Sequence, residues 1–465
     1  MKVFELSGKQ TTFYLLLCVL SFLFVTIAPS TYSYDYVLLI HCLYIVTAII
    51  SVYHNKGAGY INFHMVFTVS YYFVNFVYPV FYYPTSDRYF GLFSYAFDEK
   101  LISKCTALAY FAYCTYLCGF FSYKYRYNHN KINKEVKFAP TERITIIATV
   151  LLIISFILFL LTGGLEAFSI QYQEADHANG ISSYFFELVY CFSLVVTITS
   201  FYSKKQNVFP LAVVFAINFM VLMTGFRTFT ICWIIVFMAL YNERVKRISL
   251  PVLLALAIVG TLFFNTIRIV RSQDFNVETV YEASKNQMEG NTNESNNPFL
   301  DNAWDLTINN RSLYYLVGYA DNNGYTYGVT LLGGILGVIP IGQTLFVSFT
   351  GIPTYLLGSA TFNTVKSAGP WSPIGLGTNS VADLYLSFGI IGVIFGFYFM
   401  GRLLGICYDR KNVSMYYSIA YYCLIYRALF IPRSSVFMSL RVVVWTMVIY
   451  YLINKFINNK RVALK

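Results

Sequence analysis

ITIIATVLLIISFILFLL, residues 144–161, runs eighteen residues without a charged side chain. A helix rises about 1.5 Å per residue and the hydrocarbon core of a bilayer is about 30 Å thick. Such a run approaches the roughly 20 residues a membrane span needs. Similar runs stand at residues 12–28 and 250–267. The whole chain agrees with them: of its 465 residues 57% are hydrophobic and only 12% charged, and the mean hydropathy is +0.56. Soluble domains are typically about 45–50% apolar and about 25% charged. The reading is an all-α polytopic membrane protein. A soluble enzyme, a disordered chain and a disulfide scaffold are excluded.

Twelve transmembrane helices are predicted, near residues 11–28, 34–53, 61–82, 105–123, 143–162, 181–202, 208–224, 226–241, 250–270, 381–401, 414–431 and 435–454. With the amino terminus in the cytoplasm, most Lys and Arg residues fall inside, beside only five acids: Glu5, Glu135, Glu142, Glu243 and Asp409. That is the positive-inside pattern, with both termini cytoplasmic. It accounts for the net charge of +11 without a nucleic-acid partner. The nine cysteines lie in or at the ends of spans, as small packing residues would, with no metal-ligand spacing. The first span exceeds a signal-peptide core and lacks a clear cleavage site, so it reads as an uncleaved helix.

Along the chain, residues 1–271 hold spans one to nine, 272–380 form one large outer loop, and 381–465 hold spans ten to twelve with a cytoplasmic tail. The basic stretch 124–143 is an inside loop. The outer loop begins acidic and Asn-rich (273–305) and becomes glycine- and proline-punctuated over 325–377. Its apolar runs VTLLGGILGVIP (329–340) and LFVSFTGIPTYLLG (345–358) are too short to span. They predict short helices on the outer membrane surface or capping a cavity, in preference to a re-entrant pair. No internal repeat or inverted pair of broken helices supports a secondary transporter.

Chemistry is expected where arginines gather at the outer face. Arg227 follows Thr224-Gly225-Phe226 at the turn between spans seven and eight. Arg268 and Arg271 end span nine on one helix face. Arg427 lies inside span eleven, Arg433 follows Pro432 in the next turn, and Arg441 lies two turns into span twelve. Six arginines at one level run against the charge rule of the other loops, and none is a lysine. Arginine stays charged when partly buried and grips phosphate oxygens with a planar fork. Charged groups within spans tend to face a bundle interior or a watery cavity. The alternative for each is snorkelling to lipid phosphate.

Acids at this level are Asp383, two turns after the loop GLGTNS (375–380), and Glu187 in span six, near Glu174, Asp176 and His177. Either carboxylate can accept a proton from a sugar hydroxyl or hold an arginine in place. Asn379, in the same loop, is a candidate substrate contact. His177 is the only histidine in an outer loop, and His41 reads as a packed core residue. Tyr325 and Tyr327 in GYTYG, with Trp371, stand where a sugar can stack on a ring, although packing is the more ordinary role for them. No phosphate-binding loop, HExxH motif or Ser-His-Asp set is present, and no cofactor or metal is expected.

Three features resemble the O-antigen and capsule repeat-unit polymerases, the Wzy family. They are the arginine turn TGFRTF (224–229), the late outer loop with NNGYTYG (322–328), and GLGTNSVADLYLSFGIIGVIFGFYFMGRLLG (375–405) running into a span. Position 383 departs from the commoner pattern, carrying Asp where many members carry Glu. The resemblance implies a GT-C-like glycosyltransferase in the bacterial inner membrane with its active face extracytoplasmic. It would join oligosaccharide units carried on undecaprenyl pyrophosphate, alongside a flippase and a chain-length regulator. Arg227, Arg268 and Arg427 would clamp the pyrophosphate, supported by Arg271 and Arg441, with Asp383 as base or orienting group. Three rivals remain: an O-antigen ligase sharing the donor, a lipid-linked oligosaccharide flippase or other transporter, and a membrane scaffold, which gives no reason for the arginines.

Overall fold

Every regular element among the described residues of the computed structural model is helical. It describes residues 2–55, 59–84, 97–124, 142–164, 180–203, 208–223, 227–256, 258, 260, 307–372 and 375–463. The helices are α1 (Lys2–Thr26), α2 (Tyr34–His54), α3 (Phe63–Asn75), α4 (Leu101–Lys124), α5 (Glu142–Phe159), α6 (Gly180–Tyr202), α7 (Val208–Met223) and α8 (Arg227–Arg244). There follow α9 (Asn310–Asn323), α10 (Val329–Leu336), α11 (Gly342–Thr350), α12 (Ser359–Ala368), α13 (Ser380–Arg410), α14 (Met415–Ala428) and α15 (Leu440–Ala463). Among the described residues, seven helical stretches are long and apolar enough to cross a membrane, and Gln10–Thr26 and Val208–Leu222 are shorter apolar helices. Each predicted span but the ninth falls on a described helix. The ninth is described, as helix, only at 250–256, 258 and 260, and Arg268 and Arg271 lie outside the described residues.

The chain forms two units. One comprises Met1–Gly57, Phe63–Glu135 and Asp305–Arg441, and the other Ala58–Asn62, Val136–Trp304 and Val442–Lys465. Both draw on separated stretches, so the consecutive division 1–271, 272–380, 381–465 describes order along the chain and not packing.

In the first unit α4 is the central helix and is almost wholly buried. A methyl group at Gly119 would collide with the carbonyl of Tyr398, and one at Gly401 with that of Tyr116. The two glycines therefore let α4 and α13 touch backbone to backbone, the small-residue packing that membrane helices use in place of a hydrophobic driving force. Several polar groups buried around α4 pair with one another. His64 bonds Ser51 at 3.0 Å and Tyr116 at 3.1 Å, and Thr68 meets Tyr113 at 3.0 Å. His41 is a core residue between the rings of Tyr72 and Phe81. In the second unit Thr145 bonds Thr199 at 3.0 Å across α5 and α6, and the Trp233 indole donates to Thr197 at 2.9 Å across α8 and α6.

Two elements differ from the sequence reading. First, α9 lies in what reads as loop. Its Leu313, Leu316, Val317 and Ala320 recur at helical spacing and are buried. Second, α13 is a hairpin. Phe388 (φ −143°, ψ 19°) and Gly389 (φ 62°, ψ −148°) break the helix. In a straight helix residues 384 and 396 lie about 18 Å apart. Here a methyl group at Gly396 would strike the Leu384 side chain, and one at Gly392 the Leu384 carbonyl. Residues 380–387 therefore fold back along the arm 389–410. That arm, at about 33 Å, matches the hydrocarbon thickness by itself. The expectation that span ten starts at 381 is corrected: the spanning arm starts at the break, and Asp383 stands on the short arm folded against it.

Candidate functional site

The short arm of α13 is the anchor of the site. Asn379 caps it: its side-chain oxygen accepts from Val381 N–H at 2.9 Å, and its Nδ2 donates to Asn75 Oδ1 at 2.9 Å. The loop before it is fixed by three bonds from two helices. Asn363 of α12 donates to the Gly377 carbonyl at 2.8 Å, Ser312 of α9 donates to the Leu376 carbonyl at 3.1 Å, and Thr364 accepts from Leu376 N–H at 2.9 Å. Asn310 joins α9 to the end of α3 by donating to the Val74 carbonyl at 2.9 Å. The sequence around GLGTNS thus closes over a polar cluster joined by side-chain hydrogen bonds.

One turn into the arm, Asp383 is fully buried. Its Oδ2 accepts from the Ser435 hydroxyl at 2.9 Å and from Val436 N–H at 3.0 Å, and the buried Ser359 hydroxyl adjoins the same carboxyl. A carboxylate removed from water needs such donors. Ser435 and Val436 come from the turn linking α14 to α15, and Ser380 donates to the Pro432 carbonyl in that turn at 3.4 Å.

The arginines predicted in this unit flank that turn. Arg427, in the last turn of α14, is 8% exposed and lies 5.2 Å from the Tyr426 ring centre. Arg433, half-buried, lies 5.6 Å from the Phe430 ring centre. Arg441, at the start of α15, donates from Nε to the carbonyl of Gly337, beyond the end of α10, where a cation complements the helix dipole. The first unit therefore gathers Asp383, Asn379, Arg427, Arg433 and Arg441 onto the short arm and the turn that grips it. Chemically, the guarded carboxyl offers an acceptor to a hydroxyl, and the arginines of the same unit offer permanent cations to an anionic group.

Sequence reasoning missed three members. Arg311 is 1% exposed in the first turn of α9, 5.4 Å from the Tyr315 ring centre and between the hydrogen-bonded Asn310 and Ser312. The amphipathic spacing of α9 was the signal that would have found it. Ser435, which holds Asp383, and Asp321, ion-paired with Lys104, gave no such signal.

The remaining candidates separate from this cluster. Tyr325 and Tyr327 are exposed beside the hairpin break, and Trp371 is exposed on its loop. Glu187 and Arg227 belong to the second unit. Glu187 is half-buried next to Phe186. The rings of Phe186 and Tyr190 lie 5.3 Å and 4.0 Å from that of Phe229, which sits in the first turn of α8. These contacts bring the turn bearing Glu187 to the helix start bearing Arg227. The Arg227 side chain, the turn 224–226, His177 and the Arg268–Arg271 pair lie outside the described residues. Among the described residues, no three His, Cys, Asp or Glu side chains are grouped to hold a metal.

Comparison with curated proteins and with solved structures gave no match. The model of the family "O-antigen polysaccharide polymerase Wzy" matches residues 11–461, and the chain belongs to that family of membrane-embedded polysaccharide polymerases.

Proposed function

We propose that the protein joins oligosaccharide repeat units carried on undecaprenyl pyrophosphate, at the outer face of the inner membrane, within a twelve-span GT-C-like fold with both termini cytoplasmic. The family match over nearly the whole chain carries this reading. A hydroxyl at the non-reducing end of the incoming unit attacks the anomeric carbon of the growing chain. The bond from that carbon to the carrier oxygen breaks, and undecaprenyl pyrophosphate leaves with the bonding electrons. Arg227, Arg268 and Arg427 are the proposed pyrophosphate clamps that stabilise its developing charge, with Arg271, Arg433 and Arg441 as further candidates for that role. Asp383 takes the hydroxyl proton or orients the hydroxyl, with Glu187 as the acid of the second unit, and Asn379 keeps the arm in place. The burial of Arg427 in a span and of Asp383 on the arm folded against one supports these roles, because an ionisable group taken out of water is costly to keep without one.

The test is the surface-glycan ladder of a strain deleted for the gene. A single repeat unit on its normal acceptor, with the ladder gone, is the expected result. Long chains retained on the lipid carrier would instead identify a ligase, and single lipid-linked units trapped on the cytoplasmic side a transporter.

A further inference from the structure

The buried site gives no reason for the conformation of Tyr327. It is the second residue of the turn 326–329, which Val329 N–H closes on the Thr326 carbonyl at 3.1 Å. Its φ is +49° and that of Gly328 is +86°. Two successive positive values are the type I′ pattern, which Gly, Asn and Asp dominate. A tyrosine is held there against its own backbone preference, with the residue 76% exposed. The turn is fastened to the short arm of α13. Thr326 N–H donates to the Leu386 carbonyl at 2.9 Å, and the Thr330 and Ser387 hydroxyls meet at 3.2 Å.

Its neighbours are equally fixed. Any side chain at Gly389 would collide with the Tyr325 ring, which stands edge-on to Tyr385 at 6.2 Å. The Tyr385 hydroxyl donates to Asp321 Oδ1 at 2.8 Å, and Lys104 Nζ donates to Asp321 Oδ2 at 2.6 Å. This ion pair remains part-exposed, and both members keep hydrogen-bonding capacity: two further N–H groups on the lysine and free lone pairs on the carboxylate. An exposed ring linked to such a pair through Tyr385, with a second exposed ring on the adjoining turn, suits a sugar, whose C–H face packs on a ring while its hydroxyls meet charged partners. A tyrosine serving only as a membrane-interface anchor needs neither a left-handed turn nor an ion pair.

We propose that Tyr325, Tyr327 and the Asp321–Lys104 pair form a glycan-holding subsite that grips a sugar of the growing chain between additions and so sets how many units are joined before release. The proposal rests on the polymerase reading. The subsite makes no bond; it slows loss of the chain, the step through which most binding sites tune affinity.

Tyr327→Gly and Tyr327→Trp, compared at matched membrane abundance, test it. Glycine adopts the left-handed turn without strain, so the first variant removes the ring and spares the fold. The expected Tyr327→Gly ladder keeps its shortest rungs, but its modal length falls to about half or less as chain release speeds up. Tyr327→Trp keeps the normal mode. An unchanged mode in Tyr327→Gly overturns the subsite. Loss of every linkage also overturns it, because the ring would then belong to bond formation. An intact ladder after deletion of the gene defeats the polymerase reading itself, an outcome distinct from any of these.

Discussion

The two ends of the short arm of α13 are built on opposite terms. At the capped end Asn379, Ser380 and Asp383 are all fully buried, and each makes hydrogen bonds to other elements. At the break, Tyr325, Tyr327 and Phe388 are exposed, on a turn that holds one of them in a left-handed conformation. A non-glycine residue in that conformation costs about 1–2 kcal/mol. The contrast separates two tasks. Burial among fixed donors sets the position of the carboxyl proposed to react, whereas exposure on a fastened turn presents rings outward.

The largest expected effect comes from the buried end. Arg427→Ala should abolish the ladder while the protein remains inserted and abundant, and Arg427→Lys should restore little, because an ammonium keeps the charge and loses the fork. Normal chain lengths in the alanine variant would remove Arg427 from the site, and full activity in the lysine variant would reduce its role to charge. Next comes Asp383→Asn. If the carboxyl takes a proton, activity should fall by about two to four orders of magnitude with abundance unchanged. Activity near wild type would leave Asp383 only its structural bonds to Ser435 and Val436.

A change at the helix contact tests the framework under both ends. Gly401→Val places a branched side chain against the backbone of α4 and should deplete the inserted protein, measured as membrane abundance and melting temperature. Normal abundance would show that α4 and α13 have room to separate. The smallest effect is that of Asn379→Ala. Loss of the cap costs about 1 kcal/mol, with a further contribution from the bond to Asn75. A partial loss of activity that tracks lost stability is expected.

Much of the architecture was legible because membrane burial writes long, uncharged runs into a sequence, as at residues 144–161. The hairpin was hidden by the same signal. Residues 380–387 and 389–410 are apolar on both sides of the break, so hydropathy joins them into one helix, and only Phe388-Gly389 marks the reversal. Arg427 and Asp383 stood out because charge is rare in such runs. Arg311 did not, because it follows an acidic, Asn-rich stretch that reads as loop. Its burial depends on α9 packing against α4 and α13, a long-range fact that local composition does not carry. Asn379 was read as a substrate contact from its loop, and the structure places both ends of its side chain in helix capping and in the bond to α3.

The most direct measurement runs Arg427→Ala and Tyr327→Gly side by side in the deleted strain and resolves the surface glycan unit by unit. The account predicts a single unit and no ladder for the first, and a ladder that begins normally and ends short for the second. A full ladder from Arg427→Ala, or no linkage at all from Tyr327→Gly, would contradict the division between a buried site that makes the bond and an exposed turn that holds the chain.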